Sequence, residues 1–428
     1  MLQTVHDILW GTPSVACIAA FGIYFTVKSR FRQVRRLPFI IRRCARGLGR
    51  REGGITAAAS MATALGGTVG IGSIAGVGLA LSAGGAGSVF WMWVTGFLGC
   101  MLKYAETYVA VRYRERHGGI AVGGAMYALR SAGKRRAAKA FALLCVAASF
   151  GTGGLTQSHE VAVSAAAEGI SPAVTGTVFA FCVLAAVWGG RKAIARFCAA
   201  AVPAAGMIYL VCVAALIIMR INALPRLFAD IFGSAFGIRQ IAGGAGGAAF
   251  AAAMRTGVVR GVFSSECGMG SSPIVHAANE TAEPHTQSDW GILEVCVDIF
   301  VFSTLTALAL LAYQTDSACR LFALLPGGCG ELLYLPLVAV FGVAAAVGWC
   351  FYAESAIAFL APESRLLPAL YRLCAAACGF LGAVSGESAI WNISDILNIL
   401  MALPNLYLLF IKRKEICLCF TSDDPPPK

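Results

Sequence analysis

The stretch Gly66-Gly-Thr-Val-Gly-Ile-Gly-Ser-Ile-Ala-Gly76 lies inside an apolar segment that is long enough to cross a membrane. Each glycine in a helix costs roughly 1 kcal/mol relative to alanine, so this many glycines make a continuous helix hard to sustain. In lipid, an unwound backbone is tolerated only where protein buries it or where it lines a polar cavity. A broken helix that carries Thr68 and Ser73 therefore predicts a site for a small solute or an ion.

The chain around this stretch has the composition of an integral membrane protein. Of its 428 residues, 58% are hydrophobic and 13% are charged, whereas about 25% are charged in an ordinary soluble domain. Apolar runs long enough to span a bilayer lie near 8–27, 55–82, 86–111, 140–168, 172–188, 193–219, 242–278, 290–313, 332–360, 367–386 and 388–411. We predict an all-α polytopic membrane protein of one domain, with about eleven transmembrane helices. It comprises an extra N-terminal helix at 8–27, a core over about 55–411 and a tail at 412–428.

The basic residues that give the chain its net charge of +12 are distributed in a pattern that indicates membrane topology. Of the 34 Lys and Arg residues, 27 lie in the segments 28–51, 112–139, 189–196, 365–372 and 412–428. The eleven-span arrangement puts all five segments on one side, and the positive-inside rule makes that side cytoplasmic. We therefore expect the N-terminus outside and the C-terminus in the cytoplasm. This distribution explains the basic excess, so no nucleic-acid partner is expected.

A second glycine-rich interruption follows about 190 residues later, at Arg260-Gly-Val-Phe-Ser-Ser-Glu-Cys-Gly-Met-Gly-Ser-Ser272. The two breaks fall in predicted spans 2 and 7, so the helices that carry them enter the membrane from opposite sides. This is the layout of a 5+5 inverted-repeat transporter, whose discontinuous helices meet at the membrane midplane. Paired breaks favour alternating access over an ion channel, which would not require them.

Broken helices present backbone groups as ligands. Free N–H groups at the start of one half-helix can receive a carboxylate, and free C=O groups at the end of the other can bind a monovalent cation. Hydroxyl groups are added at the same places by Thr68, Ser73, Ser264 and Ser265. The combination indicates a small zwitterion or carboxylate that travels with a cation. Close helix packing through small residues would explain a single glycine pair, but two polar breaks at matched positions favour a binding site.

Other polar residues in the predicted spans are either ligands or anchors. An amide in the middle of a span needs a hydrogen-bond partner. For Gln157 that partner is either a ligand in a cavity or a group on another helix, and both interpretations stay open. Trp349 lies inside span 9, where it can wall a cavity. The carboxylates are expected more often as anchors or gates than as ligands. They are Glu266, Asp298, Glu354 and Asp395.

Two ion pairs are expected between residues that lie close together in the sequence, and the sequence gives no sign of an enzyme active site. We expect Lys103 to pair with Glu106, and Arg255 or Arg260 to pair with Glu266. The chain shows neither a nucleophile and base at recognisable spacing nor a metal-ligand cluster. We therefore expect no enzyme activity and no cofactor beyond a coupling ion.

The sequence resembles the alanine/glycine:cation symporter family over nearly its whole length. The resemblance is carried by Thr68-Val-Gly-Ile-Gly-Ser-Ile-Ala-Gly-Val77, Lys103-Tyr-Ala-Glu106, Arg260-Gly-Val-Phe-Ser-Ser-Glu-Cys-Gly-Met-Gly-Ser271 and Trp391-Asn-Ile-Ser-Asp-Ile396. It implies a LeuT-type fold with one additional N-terminal helix, located in a bacterial or archaeal cytoplasmic membrane among its lipids. It also implies cation-driven uptake of alanine, glycine or another small amino acid. The oligomeric state stays open.

The resemblance assigns residues to two kinds of site. The substrate site is implied to include Thr68, Gly70, Gly72, Ser73, Gln157, Phe263, Ser264 and Trp349. The cation, Na+ in this family, is implied to lie at Gly67, Thr68, Gly70, Ser73 and Ser265, held largely by backbone carbonyls of the first break.

The sequence departs from the family pattern where a cation would bind. Ser73 and Ser265 stand where the family typically has Asn, and Gly348-Trp349-Cys350 replaces a Gly-Trp-Ser pattern. Hydroxyls expected just before that pattern are replaced by Ala344-Ala-Ala346. A thiol or a methyl group is a poor ligand for a hard cation, which prefers oxygen. A proton-coupled or altered-substrate carrier of the same fold is therefore the alternative to sodium symport.

Overall fold

The computed structural model describes residues 2–47, 55–117, 120–237, 246–281 and 283–422. Residues 48–54 of the predicted basic loop, 242–245 of the predicted seventh span and 423–428 of the predicted tail lie outside the described residues. Helices make up most of the described chain, which confirms the predicted fold class. A short antiparallel hairpin, β1 (Glu115–His117) with β2 (Ile120–Val122), is an addition that we did not predict.

The helices follow one another along the whole described chain. The first seven are α1 (Leu2–Leu9), α2 (Thr12–Lys28), α3 (Arg32–Arg35), α4 (Leu37–Gly47), α5 (Ala57–Thr68), α6 (Ile71–Gly84) and α7 (Gly87–Arg112). The next six are α8 (Ala125–Ser131), α9 (Arg135–Ala148), α10 (Thr156–Ala167), α11 (Pro172–Trp188), α12 (Gly190–Met219) and α13 (Leu224–Ala235). The last eight are α14 (Gly246–Ser265), α15 (Pro273–His276), α16 (Pro284–Val295), α17 (Thr304–Ala312), α18 (Ala318–Phe322), α19 (Cys329–Leu360), α20 (Leu366–Val384) and α21 (Glu387–Ser422). The π-helical segments Ser149–Leu155 and Cys296–Ser303 connect α9 to α10 and α16 to α17, and 3₁₀ turns lie at Ile221–Ala223 and Pro326–Gly328.

The predicted first break is present and is short. Helix α5 ends at Thr68 and α6 begins at Ile71, so only Val69 and Gly70 leave the helical conformation. Gly70 adopts φ −122° and ψ −142°, and its N–H donates to the carbonyl of Thr68 instead of continuing the helix. The glycine density therefore interrupts the helix for two residues rather than over the whole quoted stretch.

The predicted second break is also present, and it is longer. Helix α14 ends at Ser265 and the next helix, α15, begins at Pro273. Positive φ angles occur at Glu266 (51°), Gly268 (85°) and Gly270 (75°). Gly270 has no room for a side chain, because a Cβ atom there would lie 2.6 Å from Oδ1 of Asn405. Glycine supplies both the left-handed backbone and the close approach at this position.

Two helices that are buried on all sides flank the breaks. Every residue from Gly99 to Val111 of α7 is buried, and so is every residue from Phe341 to Ile357 of α19. A helix buried all round belongs at the centre of a large bundle or membrane domain. Helix α14 packs on both α7 and α6, and α19 packs on α5. Both breaks therefore lie deep in the protein rather than at its lipid-facing surface.

Eight stretches of the described helices are long and apolar enough to cross a membrane. They are Thr4–Lys28, Ala57–Gly84, Arg135–Ala167, Gly190–Met219, Pro284–Ala312, Pro326–Leu360, Leu366–Val384 and Ala389–Phe420, and Pro172–Trp188 is a shorter apolar helix. Helices α7 and α14 are not among the eight, although we predicted spans there. Both carry charged residues, such as Lys103 in α7 and Arg260 in α14, which lower their hydropathy. The count of eleven spans, the 5+5 repeat and the positions of the two termini stay predictions.

Candidate functional site

The two breaks meet, and they bring four of the predicted site residues together. The hydroxyls of Ser73, in the first turn of α6, and Ser264, in the last turn of α14, lie 3.0 Å apart. A Cβ atom on Gly72 would lie 3.4 Å from Cδ1 of Phe263 and 3.5 Å from Cα of Ser264. These are ordinary van der Waals distances, so α6 and α14 pack directly against each other at Gly72. Residues 191 positions apart in sequence thus share one buried site.

Asp298, for which we predicted the role of an anchor or gate more often than that of a ligand, lies next to these two hydroxyls. It is fully buried in the π-helical segment Cys296–Ser303, and its Oδ1 accepts a hydrogen bond from Ser73. The Ser264 hydroxyl lies 2.9 Å from Oδ1 and 2.8 Å from Oδ2 of the same carboxylate. π-helical turns are frequent at functional sites. The available sequence signal was a carboxylate inside an apolar span, which is costly unless it has a function.

Gln157 and Trp349 each present an unused polar atom in the buried interior. The Gln157 amide donates to the carbonyl of Thr152 at 3.0 Å, while its Oε1 lies 3.2 Å from the position that a Cβ atom on Gly70 would take. Neither this Oε1 nor Nε1 of the buried Trp349 has a hydrogen-bond partner among the described residues. Buried polar atoms are normally paired, so an unpaired acceptor at the first break is suited to a ligand.

The hydroxyls of Thr68 and Ser265 turn back onto their own helices. The Thr68 hydroxyl donates to the carbonyl of Ala64 at 3.1 Å, and that of Ser265 donates to the carbonyl of Gly261 at 2.7 Å. Thr68 nevertheless reaches the site through its backbone, because its carbonyl accepts from the Ser73 hydroxyl at 3.4 Å. The Ser265 side chain is not brought to the Ser73–Ser264 contact.

The alanines of α19 that face the first break carry no side-chain oxygen. The Cβ of Ala345 lies 3.1 Å from the position that a Cβ atom on Gly70 would take, and the backbone carbonyl oxygen of Ala344 lies 3.4 Å from the corresponding position on Gly66. Side-chain oxygens for a cation must therefore come from elsewhere than this turn of α19. The carboxylate of Asp298 lies next to Ser73, close to the same break.

A layer of aromatic rings and one ion pair separates the site from a vestibule. The rings of Phe263 and Trp391 lie 5.1 Å apart, and the Arg260 guanidinium lies 4.7 Å from the centre of the Trp391 ring. Arg260 also pairs with Asp395 at 2.7 Å. Beyond this layer lies a cavity of about 510 Å³, which Arg260 and Trp391 line together with His6. The rings and the ion pair therefore lie between the Phe263 contact to Gly72 and this cavity, and we refer to them below as the lid.

The structure corrects both predicted ion pairs. Arg260 pairs with Asp395 instead of Glu266, and Arg255 pairs with Asp7 at 2.5 Å. These partners come from distant parts of the chain, and proximity in sequence gave no signal for them.

Lys103 likewise does not pair with its neighbour. Its Nζ lies 3.2 Å from Oε1 of Glu294 and 2.5 Å from the Ser272 hydroxyl, whereas Glu106 accepts a hydrogen bond from Asn405. Residues three apart on a helix share a face, but here the partners of Lys103 are Ser272, just before α15, and Glu294 in α16.

These features define a class of protein: a carrier with two discontinuous helices that meet around a buried polar site. Residues 1–420 match the profile of the sodium:alanine symporter family, and the chain belongs to that family.

Relatives of known name agree with this assignment. The sodium/alanine symporter AgcS of Methanococcus maripaludis is 34% identical over 96% of this chain and 94% of its own length. The probable sodium/glutamine symporter GlnT of Bacillus subtilis is 30% identical over 96% of this chain and 87% of its own length. The crystal structure of MhsT in complex with L-phenylalanine superposes with a TM-score of 0.63 at 15% identity, covering 88% of this chain and 94% of that one.

The assignment confirms several predictions made from the sequence. The fold is of the LeuT type, and the protein is a membrane transporter that carries an amino acid with a cation rather than an enzyme. The identity of the amino acid and of the ion, and the residues that bind them, are the subject of the proposal below.

Proposed function

We propose that this protein imports alanine, glycine or a similarly small neutral amino acid together with Na+ across the cytoplasmic membrane. The observation that carries the proposal is the contact between the two breaks, where Ser73, Ser264 and Asp298 converge beside Gly72 and Phe263. The name of the Methanococcus maripaludis relative, a sodium/alanine symporter, supports both the substrate and the ion.

The first break offers a binding partner to each of the two charged groups of an amino-acid substrate. No side chain caps the N-terminus of α6, and the first N–H groups of a helix have no intrahelical acceptor, so they suit a carboxylate. The unpaired Oε1 of Gln157 lies beside Gly70 and can accept from the substrate ammonium group. Gly70, Gly72 and Ala345 place only small groups around the first break, which supports a small substrate.

The same site offers oxygen ligands to Na+. The Asp298 carboxylate, the hydroxyls of Ser73 and Ser264 and the carbonyl of Thr68 are linked by hydrogen bonds within one cluster. Hydroxyl groups can rotate to present lone pairs to a cation, and carboxylate and carbonyl oxygens are hard ligands. The carbonyls of Gly67 and Gly70 extend this set along the break. A substrate carboxylate bound at the start of α6 would lie next to the ion, which provides a physical basis for coupling.

Entry to the site requires the lid to open. The Phe263–Trp391 layer and the Arg260–Asp395 pair must separate before a solute can pass from the vestibule to the breaks. We infer that this vestibule is extracellular, because the basic segments of the chain are expected on the opposite side.

Proton coupling is the second candidate, and one observation favours it. Ala344–Ala346 remove side-chain oxygens from α19, while Asp298 supplies a buried carboxylate that can carry a proton. Uptake of radiolabelled alanine into proteoliposomes distinguishes the two ions. Sodium symport requires uptake that depends on Na+ and fails with K+ or choline at fixed pH. Equal uptake in all these salts, accelerated by an inward proton gradient, would establish proton coupling instead.

A further inference from the structure

A cavity of about 630 Å³ lies between α4, the start of α5 and the start of α16. None of the described residues that line it belongs to the site between the breaks. Three arginines of α4 line it, and they follow Phe39 at spacings that place all four side chains on one face of the helix. These arginines are Arg42, Arg43 and Arg46, and the other elements contribute the hydroxyl-bearing Thr56, Thr281 and Thr286.

Arg43 is held in place at the wall of this cavity. Its Nη1 donates to Oδ2 of the buried Asp289 at 3.1 Å, and its Nη2 donates to the Thr286 hydroxyl at 2.5 Å. Arg32 donates to Oδ1 of the same carboxylate at 3.2 Å, so two guanidinium groups share one negative charge. A guanidinium group carries five N–H donors, so the two bonds of Arg43 leave further donors for another acceptor.

Arg42 and Arg46 add positive charge in excess of the negative charge of the lining. Both side chains are exposed, and neither has an ion-pair partner among the described residues. Glu283 is the one carboxylate in the described lining, against three arginines, which leaves the lining with a net charge of +2. Guanidinium groups bind phosphate through paired N–H donors, so this excess charge suits a phosphate group.

The start of α5 adds backbone donors to the same cavity. Thr56 is the N-cap of this helix, and its hydroxyl accepts from the N–H of Ala59 at 3.1 Å. Thr56 and Ala57 both line the cavity. The first N–H groups of a helix have no intrahelical acceptor, and the positive end of the helix dipole favours an anion. The backbone therefore reinforces the charge that the arginines supply.

The cavity lies at the level where membrane-crossing helices begin. Two of the apolar stretches long enough to cross a membrane start beside it, at Ala57 and at Pro284. Helix α4 also exposes two apolar side chains, Phe39 and Ile41, each with 49% of its surface accessible. Basic and apolar side chains exposed on one short helix are typical of a helix that lies in the membrane interface. Lipid phosphates lie at this same level.

We propose that this cavity binds the phosphate group of an anionic phospholipid. The arginines of α4 hold the phosphate oxygens, and N–H groups at the start of α5 donate to them. Soluble phosphate compounds share this chemistry, but the exposed Phe39 and Ile41 beside the arginines favour a ligand that carries acyl chains.

Native mass spectrometry of the purified full-length protein, titrated with phosphatidylglycerol, tests the proposal. The wild type is expected to bind one phosphatidylglycerol at least about ten-fold more tightly than phosphatidylcholine, which has no net charge. The double variant Arg42→Gln/Arg46→Gln should bind it about 30-fold more weakly, because two of the charges that attract the headgroup are gone. Arg135→Gln/Arg136→Gln is the matched control, since it removes two exposed arginines of α9 that do not line the cavity, and it should keep the wild-type affinity.

Equal binding by the wild type and the Arg42→Gln/Arg46→Gln variant would overturn the site, and so would equal losses in the two double variants. Thermal unfolding without lipid checks that both variants fold. If the first does not, Arg42→Gln alone should weaken binding about five-fold, and an unchanged affinity would overturn the assignment.

Inorganic phosphate distinguishes the two sources of the same chemistry. It lacks acyl chains, so at the concentration of half-maximal lipid binding it should displace little phosphatidylglycerol. Inorganic phosphate that binds as tightly as phosphatidylglycerol would assign the cavity to a soluble phosphate compound and overturn the lipid site.

Discussion

The contact between the two breaks can be tested most simply by enlarging the side chain at Gly72. In Gly72→Ala the new methyl group meets the Phe263 ring at 3.4 Å, an ordinary contact that requires no shift. In Gly72→Leu three further carbons project from that position toward the ring and wedge α6 away from α14. Overpacking of this kind costs about 1–3 kcal/mol, and a site that cannot close loses its substrate contacts as well.

We expect the alanine variant to keep its KM for alanine within about two-fold of the wild type, because its methyl group makes only an ordinary contact. The leucine variant should lose at least about 100-fold in uptake, at the upper end of the overpacking cost. Initial rates of radiolabelled alanine uptake into proteoliposomes, normalised to reconstituted protein, measure both effects.

Gly76→Ala is the matched control, because it lies one turn further along α6, where the nearest atom to a new Cβ is 3.9 Å away. It should change uptake by less than about two-fold, since an ordinary contact requires no repacking. Normal uptake by a folded Gly72→Leu variant would refute the joint site.

Three further substitutions test separate parts of the structure. Asp298→Asn removes a charged acceptor of two hydroxyl hydrogen bonds and should weaken Na+ binding about 10- to 100-fold, or about 1.5–3 kcal/mol. The Na+ concentration that gives half-maximal alanine uptake measures this loss of affinity. An unchanged concentration would contradict the assignment of Asp298 as a ligand. Asp395→Asn leaves Arg260 without its partner and destabilises the closed arrangement that retains a bound substrate, so it should raise the KM for alanine about ten-fold or more. Asp7→Asn breaks an exposed pair and should leave the KM within about two-fold. Gly270→Ala should lower the melting temperature by more than Gly268→Ala. Both substitutions place alanine at a positive φ, which costs about 1–2 kcal/mol, but only the new methyl group at position 270 comes within 3 Å of a neighbouring side chain. Equal melting temperatures would argue against that clash.

The two breaks could be predicted from the sequence because their signals are local. Glycines that interrupt an apolar run, with Thr68 or Ser264 among them, are visible without any tertiary information. The predicted repeat implied that the two breaks meet, whereas the assignment of Gly72 and Phe263 to the site came from the family resemblance.

What the sequence did not predict depends on packing between distant helices. No local feature of the sequence shows whether Asp298 is a ligand or an anchor. Only the fold brings it to Ser73 and Ser264. The partner of Arg260 lies 135 positions away in α21, whereas Glu266, only six residues from Arg260, accepts a hydrogen bond from Ser271 instead. The length of the first break was overestimated because helix α6 accommodates Gly72 and Gly76 once packing has fixed its direction.

The central claim is that an amino acid and a cation share the site between the breaks. The most direct test is to impose an inward alanine gradient on proteoliposomes that contain equal Na+ on both sides, and to measure ²²Na+ entry. Coupled binding at this site predicts that alanine drives ²²Na+ into vesicles that contain the wild type, and that Asp298→Asn abolishes this flux. Alanine entry with no movement of ²²Na+ above that of protein-free vesicles would contradict the claim.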